Sequence, residues 1–368
     1  MKGNKFFSFL ILSLVLTAFL AGYIMISRGL DSTPQSKTGT ILDKFGNPQP
    51  ANIEDQKLEE AEIFVVSSVK SVSVSNSADR KGVVYFEKNT GKLFEFNFEN
   101  NKEQLVSDTV LPNFLSSIWS PVKKEVLSLF YSPDGTKIKY HNYDTGKTID
   151  LNNNIHSAAF SPDGGLIAYY LAGTASLSVS GPLTSETSRI YIAQTDGTYP
   201  KKILNTRIID LDISWPIKDK IAFSTPTAEI FLLTEEGQLT KFIESKPGLS
   251  TQWSKTGSKL LFSYLGDPSS SMTSLWIKDV ESKSEKDLNI LTTASKCTWS
   301  IDDITIFCAV PKTPSIDDIY QINTTDGSQK LVAEPNMPIG ATFLTALENN
   351  LLFTNIADEK LYGLKISD

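Results

Sequence analysis

The stretch AAFSPDGGLIAYY, Ala158 to Tyr170, decides the fold. An apolar run ending at Phe160 meets a Ser-Pro-Asp-Gly turn, and a second run, LIAYY, follows: two strands joined by a tight connection. RIYIAQTDG (Arg189–Gly197) and TYPKKIL (Thr198–Leu204) supply two more strands, so the unit is a four-stranded meander. The pattern recurs along the chain. Aromatic residues stand at the equivalent first-strand position at Trp119, Phe160, Trp215, Trp253, Trp299 and Phe343, with Val74 in the weakest copy. A second marker is expected between the third and fourth strands: NTGK at Asn89, DTGK at Asp144, TDGT at Thr195, EEGQ at Glu235, TDGS at Thr325 and a glycine-less ESKS at Glu281. Asn, Asp and Gly there provide the positive φ angles of hairpin turns.

Self-similarity at a period of this size marks solenoids and propellers. One four-stranded sheet cannot cover both its faces, whereas sheets stacked radially bury them against one another. The expected fold is therefore all-β, a seven-bladed β-propeller, with six blades as the alternative if the weak first copy packs elsewhere. The last copy has strands near Thr342–Leu344, Leu351–Thr354 and Lys360–Ile366 but no fourth. EIFVVSSV, Glu62 to Val69, precedes the first copy and is expected to supply that strand and close the ring.

Phe6 to Ile26 is an uncharged run of 21 residues. As a helix it would reach ~31 Å, about one hydrocarbon core. A signal-anchor is the expectation over a cleaved signal, whose apolar region is shorter. Residues 1–5 then form a short cytoplasmic tail, 6–26 the membrane helix and 27–60 a flexible linker rich in Ser, Thr, Pro and Gly. Residues 61–368 form the propeller, on the extracytoplasmic side of the cytoplasmic membrane. A net charge of −7 with no lysine or arginine block excludes a phosphate-gripping surface, so no nucleic-acid partner is expected.

The segment FSPDGGLIAYY, with the variants ISWPIKDKIAFS, TQWSKTGSKLLFS and CTWSIDDITIFC, resembles the propeller repeat of TolB and related exported proteins. The resemblance covers about Ser71 to Ile366. It implies a propeller fold but no function, because prolyl-oligopeptidase-type peptidases and some polysaccharide lyases share the repeat. There is no recognisable TolB-type N-terminal α/β domain, so TolB's partners do not carry over. The first and seventh copies lack the Ser-Pro-Asp-Gly turn, and YSPDG at Tyr131 is expected on the second turn of its unit.

Only His141 and His156 are available as imidazole bases, and no Gly-x-Ser-x-Gly or His-Glu-x-x-His pattern occurs. Asp163 and Asp302 suit turns whose backbone N–H groups they accept. The pairs Asp302/Asp303 and Asp317/Asp318 are read as solvated turn residues before acid and base. The recurring tryptophans are expected as wedges between sheets, whereas Trp276 falls outside that register and is a candidate for exposure. Cys297 and Cys308 flank the hairpin SIDDI and fall opposite one another on neighbouring strands, so either a disulfide or two buried thiols is expected.

Three second-to-third strand connections are long: Leu171–Ser188, Leu265–Ser274 and Ala309–Asp318. Such loops carry function on a rigid scaffold. A binding rim is expected there, with Thr174, Ser176, Ser178, Ser180, Thr184, Glu186, Asp267, Ser270, Lys312 and Asp317 as its candidates. No catalytic residue, cofactor or metal is assigned. The expected activity is a non-catalytic platform for an envelope protein or cell-wall polymer; the alternative is an enzyme, or enzyme remnant, acting on glycans or peptides.

Overall fold

The computed structural model describes residues 62–77, 81–122, 124–173, 175–176, 184–185, 187–266, 272–335 and 337–366. The expected membrane helix and linker lie outside these residues. Among the described residues no helix is long and apolar enough to cross a membrane.

The described residues open with β1 (Ile63–Asn76), β2 (Gly82–Glu87), β3 (Leu93–Asn97) and β4 (Lys102–Ser107). A four-stranded sheet follows, of β5 (Phe114–Trp119), β6 (Glu125–Phe130), β7 (Lys137–Asn142) and β8 (Thr148–Asp150). The next contains β9 (Ile155–Phe160), β10 (Leu166–Leu171), β13 (Ser188–Gln194) and β14 (Lys201–Thr206), with a two-stranded excursion of β11 (Ala175–Ser176) and β12 (Thr184–Ser185) between β10 and β13. Then come β15 (Asp212–Ile217), β16 (Lys220–Ser224), β17 (Ile230–Thr234) and β18 (Leu239–Ile243). After them lie β19 (Ser250–Trp253), β20 (Lys259–Tyr264), β21 (Ser274–Asp279) and β22 (Glu285–Leu291). A 3-10 turn at Ala294–Lys296 leads to β23 (Cys297–Trp299), β24 (Thr305–Thr313), β25 (Ile316–Asn323) and β26 (Gln329–Ala333). The last strands are β27 (Ala341–Ala346), β28 (Asn350–Asn355) and β29 (Lys360–Lys365). They join the first four in a seven-stranded sheet ordered β27-β28-β29-β1-β2-β3-β4.

β1 serves two partners. Ile63 to Lys70 pair with β29, and Ser71 to Asn76 pair with β2. One strand thus completes the final sheet and opens the first.

The core is divided among clusters, each lying between consecutive sheets. Leu127, Tyr140, Ile155 and Tyr169 join the β5–β8 sheet to the next. Tyr170, Ile192, Trp215 and Ile221 make the following junction, and Val66, Tyr85, Leu352 and Leu361 lie around β1. Second strands are covered on both faces, which is why they read as continuous apolar runs: LIAYYL in β10 and NLLFTN in β28 are buried almost throughout. Fourth strands are outermost and polar, as in KEQLVS of β4.

The structure corrects four expectations. Phe343 is not an equivalent of the tryptophans: Ala346, opposite Leu351, occupies the register position that Trp119 takes opposite Val126. Asn76, opposite Val83, does so in β1, in place of Val74. NTGK lies between β2 and β3, the second and third strands of its sheet, and the third-to-fourth turn there is Asn97–Lys102. Finally, AVPKTPSIDD is no loop, because β24 and β25 continue through it and pair as far as Thr313 and Ile316. YSPDG does sit on the second turn, between β6 and β7.

Candidate functional site

In an antiparallel four-stranded sheet, the second-to-third connection and the link to the next sheet emerge at the end where the first strand begins. This end is the upper face. The three long connections all belong to it, since each joins a second strand to a third. Of the proposed rim residues, Thr174, Ser178, Ser180, Glu186, Asp267 and Ser270 lie outside the described residues. Ser176 and Thr184 are placed by backbone alone, in β11 and β12. Lys312 is exposed and ion-paired to Glu334 and, at 3.9 Å, to Asp318.

Asp317 is not a rim residue. It is 2% exposed, receives Lys296 Nζ at 2.7 and 2.8 Å, and accepts the Ala341 N–H at 2.8 Å. Its carboxylate, on β25, therefore fastens the 3-10 turn ahead of β23 to the first strand of the next sheet.

Comparable fastenings recur along the inner strands. A first strand has one edge without a strand partner, and its N–H groups need acceptors. Ser73 Oγ accepts the Ser117 N–H at 2.6 Å, Ser157 Oγ that of Ile213 at 2.9 Å, and Ser250 Oγ that of Ser295 at 3.1 Å. Small hydroxyl residues suit the narrow space between adjoining edges. Between these contacts, Leu115, His156, Asp212, Thr251, Ser295 and Phe343 are exposed on or beside the inner strands.

Phe343 stands out among them. It is 76% exposed at a bulge in β27, with φ of 50°. The matching bulge in β1 holds Ser73, at φ of 58°. Left-handed backbone costs a side-chain-bearing residue on the order of 1 kcal/mol, and here it presents an aromatic ring to solvent at the upper face. No local signal in the sequence marks this. An aromatic in a first strand reads as core until the bulge is seen.

The upper face is also the more apolar one. Of the eighteen large hydrophobic side chains exposed among the described residues, ten lie at this end, Tyr131, Ile209, Met337, Phe343 and Ile356 among them. Five lie at the lower end, including Val122 and Tyr199, and three on outer strands.

The aromatic residues that do hold register pack on the preceding sheet. Trp119 stacks on Phe86 at 5.5 Å and Trp253 on Phe242 at 5.7 Å, while Trp299 is buried against Leu261 and Ile277. Trp276 is half-buried between Phe262 and Tyr264. Asp163 accepts Ser161 Oγ–H and the Gly165 N–H, which hold its carboxyl below the usual range. Burial raises the Asp302 carboxyl, but bonds from the Thr305 and Ile304 N–H groups outweigh it and lower the pKa. Cys297 and Cys308 are directly paired across β23 and β24 and form a disulfide. His141 bonds Thr148 at 2.7 Å, and burial lowers its pKa; His156 lies exposed on β9. Among the described residues no three His, Cys, Asp or Glu side chains are grouped to hold a metal ion.

A cleft of about 220 Å³ opens between the β15–β18 and β19–β22 sheets, lined by Asp212, Ser214, Phe223, Ser224, Thr251 and Trp253 among others.

No protein-family model and no curated protein matches the chain. Solved structures do. An oligogalacturonate lyase in complex with manganese aligns with a TM-score of 0.61 at 13% identity, over 84% of this chain and 96% of that one. The β-propeller domain of Myceliophteria thermophila Cps50 (Swd1) aligns at 0.56 and 11%, over 83% and 100%. The β-propeller domain of the Trilobed protease from Pyrococcus furiosus aligns at 0.54 and 13%, over 82% and 97%. TolB from Acinetobacter baumannii is matched at 0.42, too loosely to carry an argument. At these identities the likeness shows the fold alone: the described residues form a β-propeller. Lyases, proteases and Swd1 share it, so function must come from the site.

Proposed function

We propose that this chain is a non-catalytic interaction platform that holds its partner on the upper face of a seven-bladed propeller. The count takes each half of the seven-stranded sheet as one blade, with β1 shared between them. The observation that carries the platform reading is the bias of exposed apolar side chains toward the upper face, with Phe343 held outward by a left-handed bulge. Exposed aromatic anchors of this kind dominate binding energy at interfaces. The partner class is an envelope protein or a cell-wall polymer, and the run Phe6–Ile26 would anchor the propeller outside the cytoplasmic membrane. Protease added to intact cells and to spheroplasts tests that placement: digestion while the cytoplasmic membrane is whole supports it, and digestion only after lysis overturns it.

The platform is tested by capture of envelope components with the full-length protein in detergent. Phe343→Ser and Ile356→Ser should reduce capture at least about tenfold, the effect of a loss near 1.4 kcal/mol, whereas Val122→Ser and Tyr199→Ser on the lower face should not. Equal losses from both faces would overturn the assignment. The enzyme alternative rests on one imidazole and one carboxylate, His156 and Asp212, exposed on inner strands. Turnover of a glycan or peptide that is lost in His156→Ala and Asp212→Asn would establish it.

A further inference from the structure

We infer that the cleft between the β15–β18 and β19–β22 sheets binds a primary alkylammonium group, the chemistry that a lysine side chain or a free aliphatic amine presents. This deepens the platform reading by giving it a charged subsite, and the lysine source rests on that reading.

Ser157 orients the charge. It accepts the Ile213 N–H and donates its hydroxyl to Asp212 Oδ1 at 2.8 Å. Asp212 forms no ion pair among the described residues, and its Oδ2 has no partner there. The lining residues include no lysine or arginine, so the cleft carries one uncompensated negative charge. Ser214, Ser224 and Thr251 add hydroxyl groups without a side-chain partner among the described residues. The floor is apolar, with Ala222 1% exposed and Ile230 3%. Trp253, one face of which stacks on Phe242, forms a wall. An aliphatic stem fits such a floor, and an ammonium needs the acceptors and the aromatic wall.

Size and geometry narrow the ligand. At about 220 Å³ the cleft is smaller than pockets for drug-sized molecules, which run ~300–1,000 Å³, and suits one side chain. A guanidinium binds best to two free oxygens of one carboxylate, and Asp212 has one already engaged, so a compact ammonium is preferred.

Titration of the full-length protein by NMR with Nα-acetyl-lysine methylamide should show saturable binding. The norleucine analogue, which keeps the stem and lacks the charge, should bind at least about tenfold more weakly, and so should the lysine probe with Asp212→Asn. Asp210→Asn, an exposed carboxylate in the preceding loop, should change nothing. Tighter binding of the lysine probe than of 1,5-diaminopentane identifies a side chain as the source, and the reverse identifies a free amine. Equal affinity for the norleucine analogue, indifference to Asp212→Asn, or no saturable binding of either amine would overturn the inference. Capture lost in Phe343→Ser while Asp212→Asn binds the probe normally would sink the cleft and leave the platform standing. Probe binding with capture insensitive to every upper-face substitution would do the opposite.

Discussion

Asp318 illustrates what one buried charge does here. Its Oδ1 is buried without a partner among the described residues, and burial raises its pKa above the ordinary carboxylate value, with Lys312 pulling the other way. A carboxyl whose folded pKa exceeds its unfolded value costs stability once pH rises past both, and the cost disappears below the unfolded value near ~3.9. Asp318→Asn should therefore raise the melting temperature at pH 7, with the gain fading toward pH 3; thermal melts at both values read it directly. The disulfide works in the opposite direction. Cys297 and Cys308 are 11 residues apart. Replacing both by alanine should cost about 2–3 kcal/mol, mainly by freeing the unfolded chain. Urea unfolding of the variant and of the oxidised protein should show the difference, and equal midpoints would mean that the bond constrains nothing. Facing cysteines could be read from a short hairpin in the sequence. Asp318's missing partner could not, since it depends on what packs over β25.

Turns show how local chemistry becomes contact between sheets. Asp302 and Asp303 look alike in sequence but act in different places. Asp302 accepts the N–H groups of Ile304 and Thr305 and holds its own turn. Asp303, at φ of 56°, reaches to the neighbouring sheet and accepts the N–H groups of Lys255 at 2.7 Å and Thr256 at 3.0 Å. Asp303→Ala should lower stability by about 1–2 kcal/mol, since two charge-assisted bonds at an exposed site are lost. The Thr256 hydroxyl also donates to Asp303, so a double-mutant cycle with Thr256→Ala should show coupling, and strict additivity would count against the clamp. The misplaced NTGK marker has a related cause. Asn142, Asp279 and Asn323 each cap a third-to-fourth turn with the side-chain oxygen, and Asn97 does so in the first sheet. The same turn chemistry serves any hairpin, so it marks a turn without saying which one.

At the scale of the molecule, closure rests on β1 against β29. Gly363 lies under the Phe64 ring, where an added Cβ would stand 2.4 Å from a ring carbon. Gly363→Ala should cost about 1–3 kcal/mol through overpacking. Because consecutive sheets share their core clusters, the loss should appear as one transition, with tryptophan fluorescence and far-ultraviolet circular dichroism shifting together. Separate transitions would mean that the closing sheet melts alone.

The sequence by itself determined the repeat, the four-strand unit and the need for a strand from Glu62–Val69 to complete the final sheet. Those properties follow from apolar periodicity and turn residues, which act over a few neighbours and leave a local trace. Tertiary structure decided the rest. Whether Phe343 is core or surface depends on a bulge that moves it out of register; whether Asp317 is rim or clamp depends on Lys296 and Ala341 arriving from other elements. The cleft exists only where two sheets meet. Strand register and contacts between sheets are set by packing across long stretches of chain, and no single segment records them.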